Sequence, residues 1–254
     1  LTDMETVQNA APAVPRTDSI PDEHADEEQG FGARPVTPEQ SQYIESNFGE
    51  TVALQPNALS MLRADVLGEQ GIPSAVDNSI SQFFPPIRSQ GSQGSCTCWA
   101  SCYYYNTYTQ ARDENLDVSG GDNSNICSPG FMYPLVNGGV DSGAYTSYVM
   151  KRVSDIGCTS WSLKPYSSSD YRSWPTEEQW LDGLKRRTTG SHYIYGNSDS
   201  QLALIKQHLA NGDLAVTQCP VYTNWWYNNQ GRGIQNHVLF SHQGESLRGY
   251  HALT

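Results

Sequence analysis

Apolar side chains recur at helical spacing in several separate stretches of the chain. The clearest stretch starts at Cys96 and continues at steps of three and four positions through Cys96, Trp99, Ala100, Tyr103, Tyr104, Thr107 and Ala111. Because this spacing puts the residues on one face, it predicts a helix with a buried stripe. Similar patterns predict helices over 142–156 and 200–210. Thr176 and Gln179 form a capping-box pattern that predicts another helix start.

The N-terminal part of the chain is predicted to have two regions. Residues 1–36 contain four prolines and an acidic run over 22–28 without an apolar face, so we expect a disordered acidic tail. Order is predicted to begin at Thr37, which can cap a helix, and a second amphipathic helix is predicted over 57–71. Residues 37–76 are interpreted as a prosegment or N-terminal extension; the alternative is that they extend the core of the main domain.

Strand candidates concentrate in the C-terminal third of the chain. Short runs over 192–195 and 214–218 carry apolar and aromatic residues, and a further strand is predicted from His251 onward. Because helices come first and strands dominate later, the predicted fold class is α+β.

Composition and charge exclude several classes of protein. The 254 residues carry a formal net charge of −12, and 37% of them are hydrophobic, which is sufficient for a domain with a buried core. The acidic balance argues against nucleic acid and against an anionic membrane surface as partners. No apolar run is long enough to span a membrane. The cysteines and histidines lack zinc-type spacing, so neither a metal nor a cofactor is predicted.

One loop combines features that favour a reactive thiol. A stretch rich in Gly, Ser and Gln over 89–95 leads directly into the helix that begins at Cys96. The unpaired N–H groups and the positive dipole end of a helix N-terminus favour thiolate over thiol. The side-chain amide of Gln90 can donate a hydrogen bond to a developing oxyanion, as can the backbone N–H of Cys96. A nucleophilic cysteine is therefore expected at this position.

The run Gln90–Cys96, with the sequence Gln-Gly-Ser-Gln-Gly-Ser-Cys, closely resembles the active-site signature of papain-like cysteine peptidases, especially the bacterial and archaeal branch. Weaker similarity extends through Ser128-Pro129, Asn137-Gly138-Gly139, Lys164-Pro165-Tyr166, Pro220-Val221-Tyr222 and Gly249-Tyr250-His251-Ala252-Leu253. The resemblance covers about residues 75–254, and residues 77–254 are taken as the peptidase domain. It implies a two-lobe α+β fold, with a helical lobe bearing the nucleophile, a sheet-rich lobe bearing a histidine, and a substrate cleft between them.

The resemblance also implies roles for individual residues. Cys96 would be the nucleophile, His251 the general base and Gln90 the oxyanion donor. Gly138 and Gly139 would flank the groove and hydrogen-bond an extended substrate backbone. No metal ligand is implied.

Some of these assignments have rivals. Cys98 directly precedes a tryptophan, as the family's nucleophile usually does, but only Cys96 keeps the six-residue step from Gln90. His237 and His242 are the alternatives to His251.

Trp225 is a candidate substrate contact on the leaving-group side of the cleft. It belongs to the aromatic run Trp225-Trp226-Tyr227. Loop packing against the sheet and stacking on sugar rings are the alternatives.

The sequence departs from the family pattern in two places. The family has an Asn after the histidine that orients the imidazole, whereas this chain stops at Thr254, so we expect a truncated C-terminal end. Gln93 stands where the family often has a half-cystine, which leaves Cys127 and Cys158 as the favoured disulfide. The acidic tail and this bridge favour an extracytoplasmic or secreted protein.

The leading hypothesis is a monomeric thiol-dependent peptidase, made as a precursor, that hydrolyses peptide or protein substrates through a cysteine acyl-enzyme. Transfer of the acyl group to an amine instead of water is a related alternative. A catalytically impaired papain-like module that binds peptides is the main rival, and a carbohydrate-binding role for the Trp225 loop is a third interpretation.

Overall fold

The computed structural model describes residues 30–48, 73–188, 191, 193–194, 199–223, 234–235, 238–239 and 243–254. The predicted helix over 57–71 lies outside the described residues, as do Trp225, His237 and His242. Within the described ranges, no helix has the length and apolar character needed to cross a membrane.

The regular elements of the described chain before residue 211 are helices, and strands follow them. The helices are α1 (Pro38–Asn47), a 3-10 turn (Asn78–Ile80), α2 (Cys96–Cys98, continued by π-helical winding over Trp99–Asn106 and by α-helix over Thr107–Glu114), α3 (Pro129–Val136), α4 (Thr146–Ile156), α5 (Glu177–Leu184) and α6 (Asp199–Ala210). The strands are β1 (Thr217–Tyr222), β2 (Ile234–Gln235), β3 (Val238–Leu239) and β4 (Leu247–Leu253). β1 pairs antiparallel with β4, and β2 with β3. This mixture of helices and antiparallel strands agrees with the predicted α+β class.

Local capping signals place several helix ends where the sequence predicts them. The Thr37 side chain accepts a hydrogen bond from the backbone N–H of Gln40 at the start of α1. Thr176 and Gln179 form both hydrogen bonds of the predicted capping box at the start of α5. Gly157, with φ 70°, follows α4.

Two helices differ from the sequence prediction. α4 begins at Thr146 rather than near residue 142, because Ala144 pairs through its backbone with Gly32 and Arg34 and therefore stays extended. α3 was not predicted at all, since Pro134 lies inside it and argues locally against a helix.

Helix α2 runs through the interior of the protein rather than along the protein surface. Its residues from Cys96 to Tyr103 are buried on every side, not only on the predicted face. One side packs into a cluster made of Cys98, Cys102, Cys127, Phe131, Met132, Tyr133, Ala144, Val149, Val153 and Cys158. The other side packs into a cluster made of Trp99, Tyr103, Ala111, Val118 and Ile126. The N-terminal end of α2 is therefore held from both sides.

All six cysteines lie within the described residues, and all six are free thiols. The disulfide predicted between Cys127 and Cys158 is not formed in this structure. Cys127 Sγ accepts a hydrogen bond from Asn106 Nδ2 at 3.4 Å, and Cys158 Sγ donates one to the carbonyl oxygen of Ser128 at 3.1 Å. Both thiols are thus satisfied as buried polar groups of the core.

β4 brings the C-terminal end of the chain against the start of α2. Cys96 and Ala100 on α2 pack with Ala252 on β4, and Ala33 completes this small cluster. The hydroxyl of Thr254 donates a hydrogen bond to the carbonyl oxygen of Ala100 at 2.9 Å. This contact puts the residues around His251 beside Cys96.

The packing of α3 against α5 provides a test of the fold. Phe131 is fully buried, and its ring lies 5.5 Å from that of Trp180 in an edge-to-face arrangement. We expect Phe131→Ala to lower the free energy of unfolding by about 3 to 5 kcal/mol, because it leaves a cavity in the main core. Urea denaturation followed by far-UV circular dichroism measures this change. Leu181→Ala on the exposed face of α5 is the matched control, and an equal loss in both variants would contradict this packing.

Candidate active site

Cys96 is the first residue of α2, and its side chain is almost completely buried at 1% exposure. It does not belong to the main core. Its sulfur accepts a hydrogen bond from the backbone N–H of Ala252 at 3.4 Å, and its neighbours Ala33 and Ala252 come from the two ends of the described chain. Cys96 therefore lies in an interface between α2, β4 and residues N-terminal to α1.

This burial decides the protonation of the thiol. Removal from water raises the pKa of Cys96 above its ordinary value of 9.0, because a buried thiolate loses its hydration. Hydrogen bonding from the backbone of Ala252, Gly32, Thr97 and Ala33 opposes that rise without cancelling it. The helix N-terminus was expected to favour thiolate, but in this closed arrangement the neutral thiol is favoured.

His251 lies in the middle of β4, opposite Cys219 of β1. Burial lowers the pKa of its imidazole below the ordinary value of 6.5, so the ring is neutral at neutral pH and can accept a proton. Its Nδ1 atom is buried and has no hydrogen-bond partner among the described residues. The ring of Phe31 meets the imidazole edge to face, with the centroids 6.2 Å apart.

Gln90 lies in the loop before α2, and its side-chain amide is already engaged. Nε2 donates hydrogen bonds to the carbonyl oxygens of Gly30 and Gln93, both at 2.8 Å. The carbonyl oxygen of Gln90 accepts a hydrogen bond from the hydroxyl of Tyr166 at 2.7 Å, and this hydroxyl also contacts Ser95 Oγ at 2.9 Å. Tyr166 thus connects the loop carrying Gln90 to the residue before Cys96.

A single extended stretch, residues 30–34, touches all three of these residues; we call it the cleft segment. Its Gly30 carbonyl meets Gln90, its Phe31 ring meets His251, and the backbone of Gly32 and Ala33 faces the sulfur of Cys96. From the sequence, these residues are predicted to belong to the disordered acidic tail. Their small and apolar side chains, Gly-Phe-Gly-Ala, were the available signal, because they differ from the charged run that precedes them.

Backbone hydrogen bonds hold the cleft segment on both sides. The N–H of Ala144 donates to the carbonyl oxygen of Gly32 at 2.8 Å, and the N–H of Arg34 donates to the carbonyl oxygen of Ala144 at 3.0 Å. From the other side, the carbonyl oxygen of Tyr250 accepts from the N–H of Ala33 at 3.2 Å. The segment therefore lies in a groove between the residues before α4 and those of β4.

Two glycines make this close approach possible. A Cβ atom on Gly32 would lie 1.7 Å from the carbonyl oxygen of Gly94, and one on Gly143 would lie 2.2 Å from the carbonyl oxygen of Gly32. No side chain fits at either position while the segment stays in the groove.

Gly138 and Gly139, predicted to flank the groove, lie on an exposed turn. A Cβ atom added to either would meet no other atom within 4 Å. The residues that meet the cleft segment at this wall lie five positions further along the chain: Ala144 forms hydrogen bonds with the segment, and Gly143 approaches it closely. The pair Gly138–Gly139 and the pair Gly143–Ala144 both contain glycine and lie in the same short stretch. The sequence alone therefore does not show which pair flanks the groove.

Asp141 is a further residue whose place the sequence did not indicate. Its Oδ1 accepts hydrogen bonds from the backbone N–H of Gly94 at 2.9 Å and from the hydroxyl of Tyr133 at 2.6 Å. The same hydroxyl accepts a hydrogen bond from the N–H of Gly143. Asp141 and Tyr133 therefore hold the loop before Cys96 against the wall of the groove.

The remaining candidates lie elsewhere. Cys98, the alternative nucleophile, is fully buried in the main core cluster, where burial raises its pKa far above the ordinary value. Trp225, His237 and His242 are outside the described residues. In the part of the chain that is described, no group of three His, Cys, Asp or Glu side chains is arranged to hold a metal ion.

The chain has the fold of a cysteine protease. The crystal structure of xylellain, a cysteine protease from Xylella fastidiosa, superposes on it with a TM-score of 0.62, covering 89% of this chain and 78% of the xylellain chain. The two sequences are 18% identical, so the similarity shows a shared fold. No family model and no curated protein sequence matches the chain. The resemblance to papain-like peptidases is thus supported at the level of the fold.

The buried state of Cys96 leads to a testable pH dependence. Iodoacetamide reacts with thiolate, so alkylation of Cys96 should be slow at neutral pH and should accelerate as the pH rises above 9.0. Peptide mapping by mass spectrometry measures the rate at this residue, with N-acetylcysteine as the reference thiol. Alkylation of Cys96 that is faster than the reference at neutral pH would show that the thiol is ionised in the closed state.

Proposed function

We propose that the chain is a latent thiol-dependent peptidase, in which the cleft segment closes a site made of Cys96, His251 and Gln90. The observation that supports this proposal is the contact of one extended peptide with all three residues at once. A groove that accommodates a peptide backbone between a thiol, an imidazole and a side-chain amide matches the requirements of peptide-bond hydrolysis. The two-lobe arrangement and the precursor form implied by the papain-like resemblance are part of the proposal.

In the open state, the three residues would divide the reaction between them. The imidazole of His251 takes the proton of the Cys96 thiol, and the thiolate attacks the substrate carbonyl carbon to form a C–S bond. Gln90 Nε2 and the Cys96 backbone N–H donate to the oxyanion. The C–N bond then breaks as the imidazolium protonates the leaving amine, and water hydrolyses the thioester to regenerate the thiol.

The cleft segment is held as an inhibitor rather than as a substrate. A nucleophile must approach a carbonyl carbon, whereas the sulfur of Cys96 faces the backbone amides of Gly32 and Ala33. The segment carbonyl that accepts a hydrogen bond from the side-chain amide of Gln90 belongs to Gly30, which is two residues away from Gly32. Donor and nucleophile are therefore both covered, but by different peptide groups of the segment.

Helix α1 anchors the segment at its C-terminal side. Ser147 Oγ of α4 donates a hydrogen bond to Gln40 Oε1 at 3.1 Å, and the rings of Tyr43 and Tyr148 lie 4.5 Å apart, edge to face. Because the peptide chain joins the cleft segment covalently to α1, this anchoring raises the effective concentration of the segment at the groove to about the millimolar range. Even modest individual hydrogen bonds then suffice to keep the site closed.

A peptide-binding module with impaired turnover is the second candidate. The Nδ1 atom of His251 supports it, because this buried atom has no described partner to fix the orientation of the ring. An imidazole without such a partner would position the proton less well and slow the reaction. Binding and turnover therefore have to be measured separately.

Opening the groove by a single methyl group tests the proposal. In Gly32→Ala, the new Cβ would lie 1.7 Å from the carbonyl oxygen of Gly94, so the segment has to leave the groove. We expect the full-length variant to hydrolyse a fluorogenic peptide at least about tenfold faster than the wild type, since a small free energy shifts a two-state equilibrium strongly. The activity should disappear when Cys96→Ala is added.

Gly120→Ala is the matched control, because its Cβ would meet no other atom within 4 Å. It should leave the rate at the wild-type value. If Gly32→Ala binds peptides but hydrolyses none, the binding-module alternative is correct. Hydrolysis that persists after Cys96→Ala would contradict both candidates.

A further inference from the structure

Arg34, the last residue of the cleft segment, has its main chain held from both sides of the groove. Its N–H donates to the carbonyl oxygen of Ala144 at 3.0 Å. Its carbonyl oxygen accepts a hydrogen bond from Gln218 Nε2 of β1 at 3.0 Å. Gln218 Oε1 in turn contacts Thr146 Oγ1 at 3.1 Å, which links β1 to the start of α4. The main chain at this point is therefore fixed in position.

The side chain of Arg34 is also recognised. Its Nε donates to the carbonyl oxygen of Ser142 at 3.2 Å, and one terminal nitrogen donates to Ser142 Oγ at 2.7 Å. The guanidinium carbon lies 5.6 Å from the ring centroid of Tyr145, a distance typical of cation–π contact. Two acceptors and an aromatic face therefore surround one cation.

Resting on the proposed peptidase function, we propose that Ser142, Tyr145 and Gln218 form a substrate subsite that selects an arginine residue. These groups belong to the groove and not to the segment, so they stay in place when the segment leaves. Arg34 lies two residues from Gly32, which faces the sulfur of Cys96. The subsite thus lies about 7 Å along an extended chain from the residue at the nucleophile.

The chemistry of the subsite discriminates between side chains. Arginine presents two N–H groups at the spacing that the two oxygens of Ser142 accept, whereas lysine has a single ammonium group. A leucine side chain would leave both oxygens without a donor, and a carboxylate would face two acceptors and the negative face of a ring. The expected order is arginine, then lysine, then leucine, then glutamate. The net charge of −12 favours cationic peptides over acidic ones as well.

A binding measurement tests the subsite without requiring turnover. The protein is the full chain carrying Gly32→Ala and Cys96→Ala, and the probe is a fluorescent peptide of residues 30–36, Gly-Phe-Gly-Ala-Arg-Pro-Val. Fluorescence anisotropy should show about fivefold to tenfold weaker binding for the Arg34→Leu peptide, and still weaker binding for Arg34→Glu. Gly30→Ala, whose Cβ would lie 2.2 Å from the carbonyl oxygen of Gln93, is a second way to open the groove.

Variants of the groove assign the effect to the named side chains. Tyr145→Ala and Ser142→Ala should each reduce the preference for arginine over leucine, and the double variant should keep only the smaller part due to the backbone carbonyl oxygen of Ser142, which no substitution removes. Tyr145→Phe keeps the aromatic face and should retain the preference. A preference in the double variant as large as that of the unsubstituted groove would overturn the assignment.

Cleavage of a peptide library by the Gly32→Ala chain separates the two proposals. Enrichment of arginine at one position close to the cleaved bonds supports both. Cleavage without such enrichment, together with equal binding of the Arg34 and Arg34→Leu peptides, overturns the subsite and leaves the peptidase function standing. Arginine-selective binding without any cleavage supports the subsite and contradicts the peptidase function.

Discussion

The arrangement of the site depends on how closely the cleft segment approaches the loop before α2. At Gly32 the backbone of the segment lies so near the carbonyl oxygen of Gly94 that even one carbon atom does not fit between them. This contact buries the sulfur of Cys96, and Phe31 covers the imidazole of His251 from the same stretch. Burial, protonation and access at the site therefore all follow from whether one short peptide occupies the groove.

The electrostatic consequence of this closure is that the thiol and the imidazole of the proposed site are both held in their neutral forms. Burial raises the pKa of the Cys96 thiol and lowers that of the His251 imidazole, so both groups are neutral rather than an ion pair. Departure of the segment would return water to both groups and expose the N-terminus of α2 to the sulfur. The same movement would free Nε2 of Gln90 from the carbonyl of Gly30. One structural change would thus supply the proposed nucleophile and the proposed oxyanion donor together.

Local sequence patterns predicted those features of the structure, such as helix starts and ends, that depend on interactions between residues close together in the sequence. The caps at Thr37 and Thr176, the end of α4 at Gly157 and the helix beginning at Cys96 follow from short-range patterns. Non-local contacts were not predictable in this way. The Gly143 wall, the clamp formed by Asp141 and the ordered cleft segment all depend on partners far away in sequence. The predicted Cys127–Cys158 disulfide does not form here; both residues are free thiols with hydrogen-bond partners in the core.

The proposed function depends on Cys96 being a nucleophile that the cleft segment keeps covered. Intact-protein mass spectrometry after exposure to a peptidyl epoxide tests it most directly, because the reagent forms a stable thioether with an accessible active-site thiolate. We expect slow capture by the wild type and fast capture by Gly32→Ala, with the added mass on Cys96. Equal rates in the two proteins, or an adduct on a different cysteine, would contradict it.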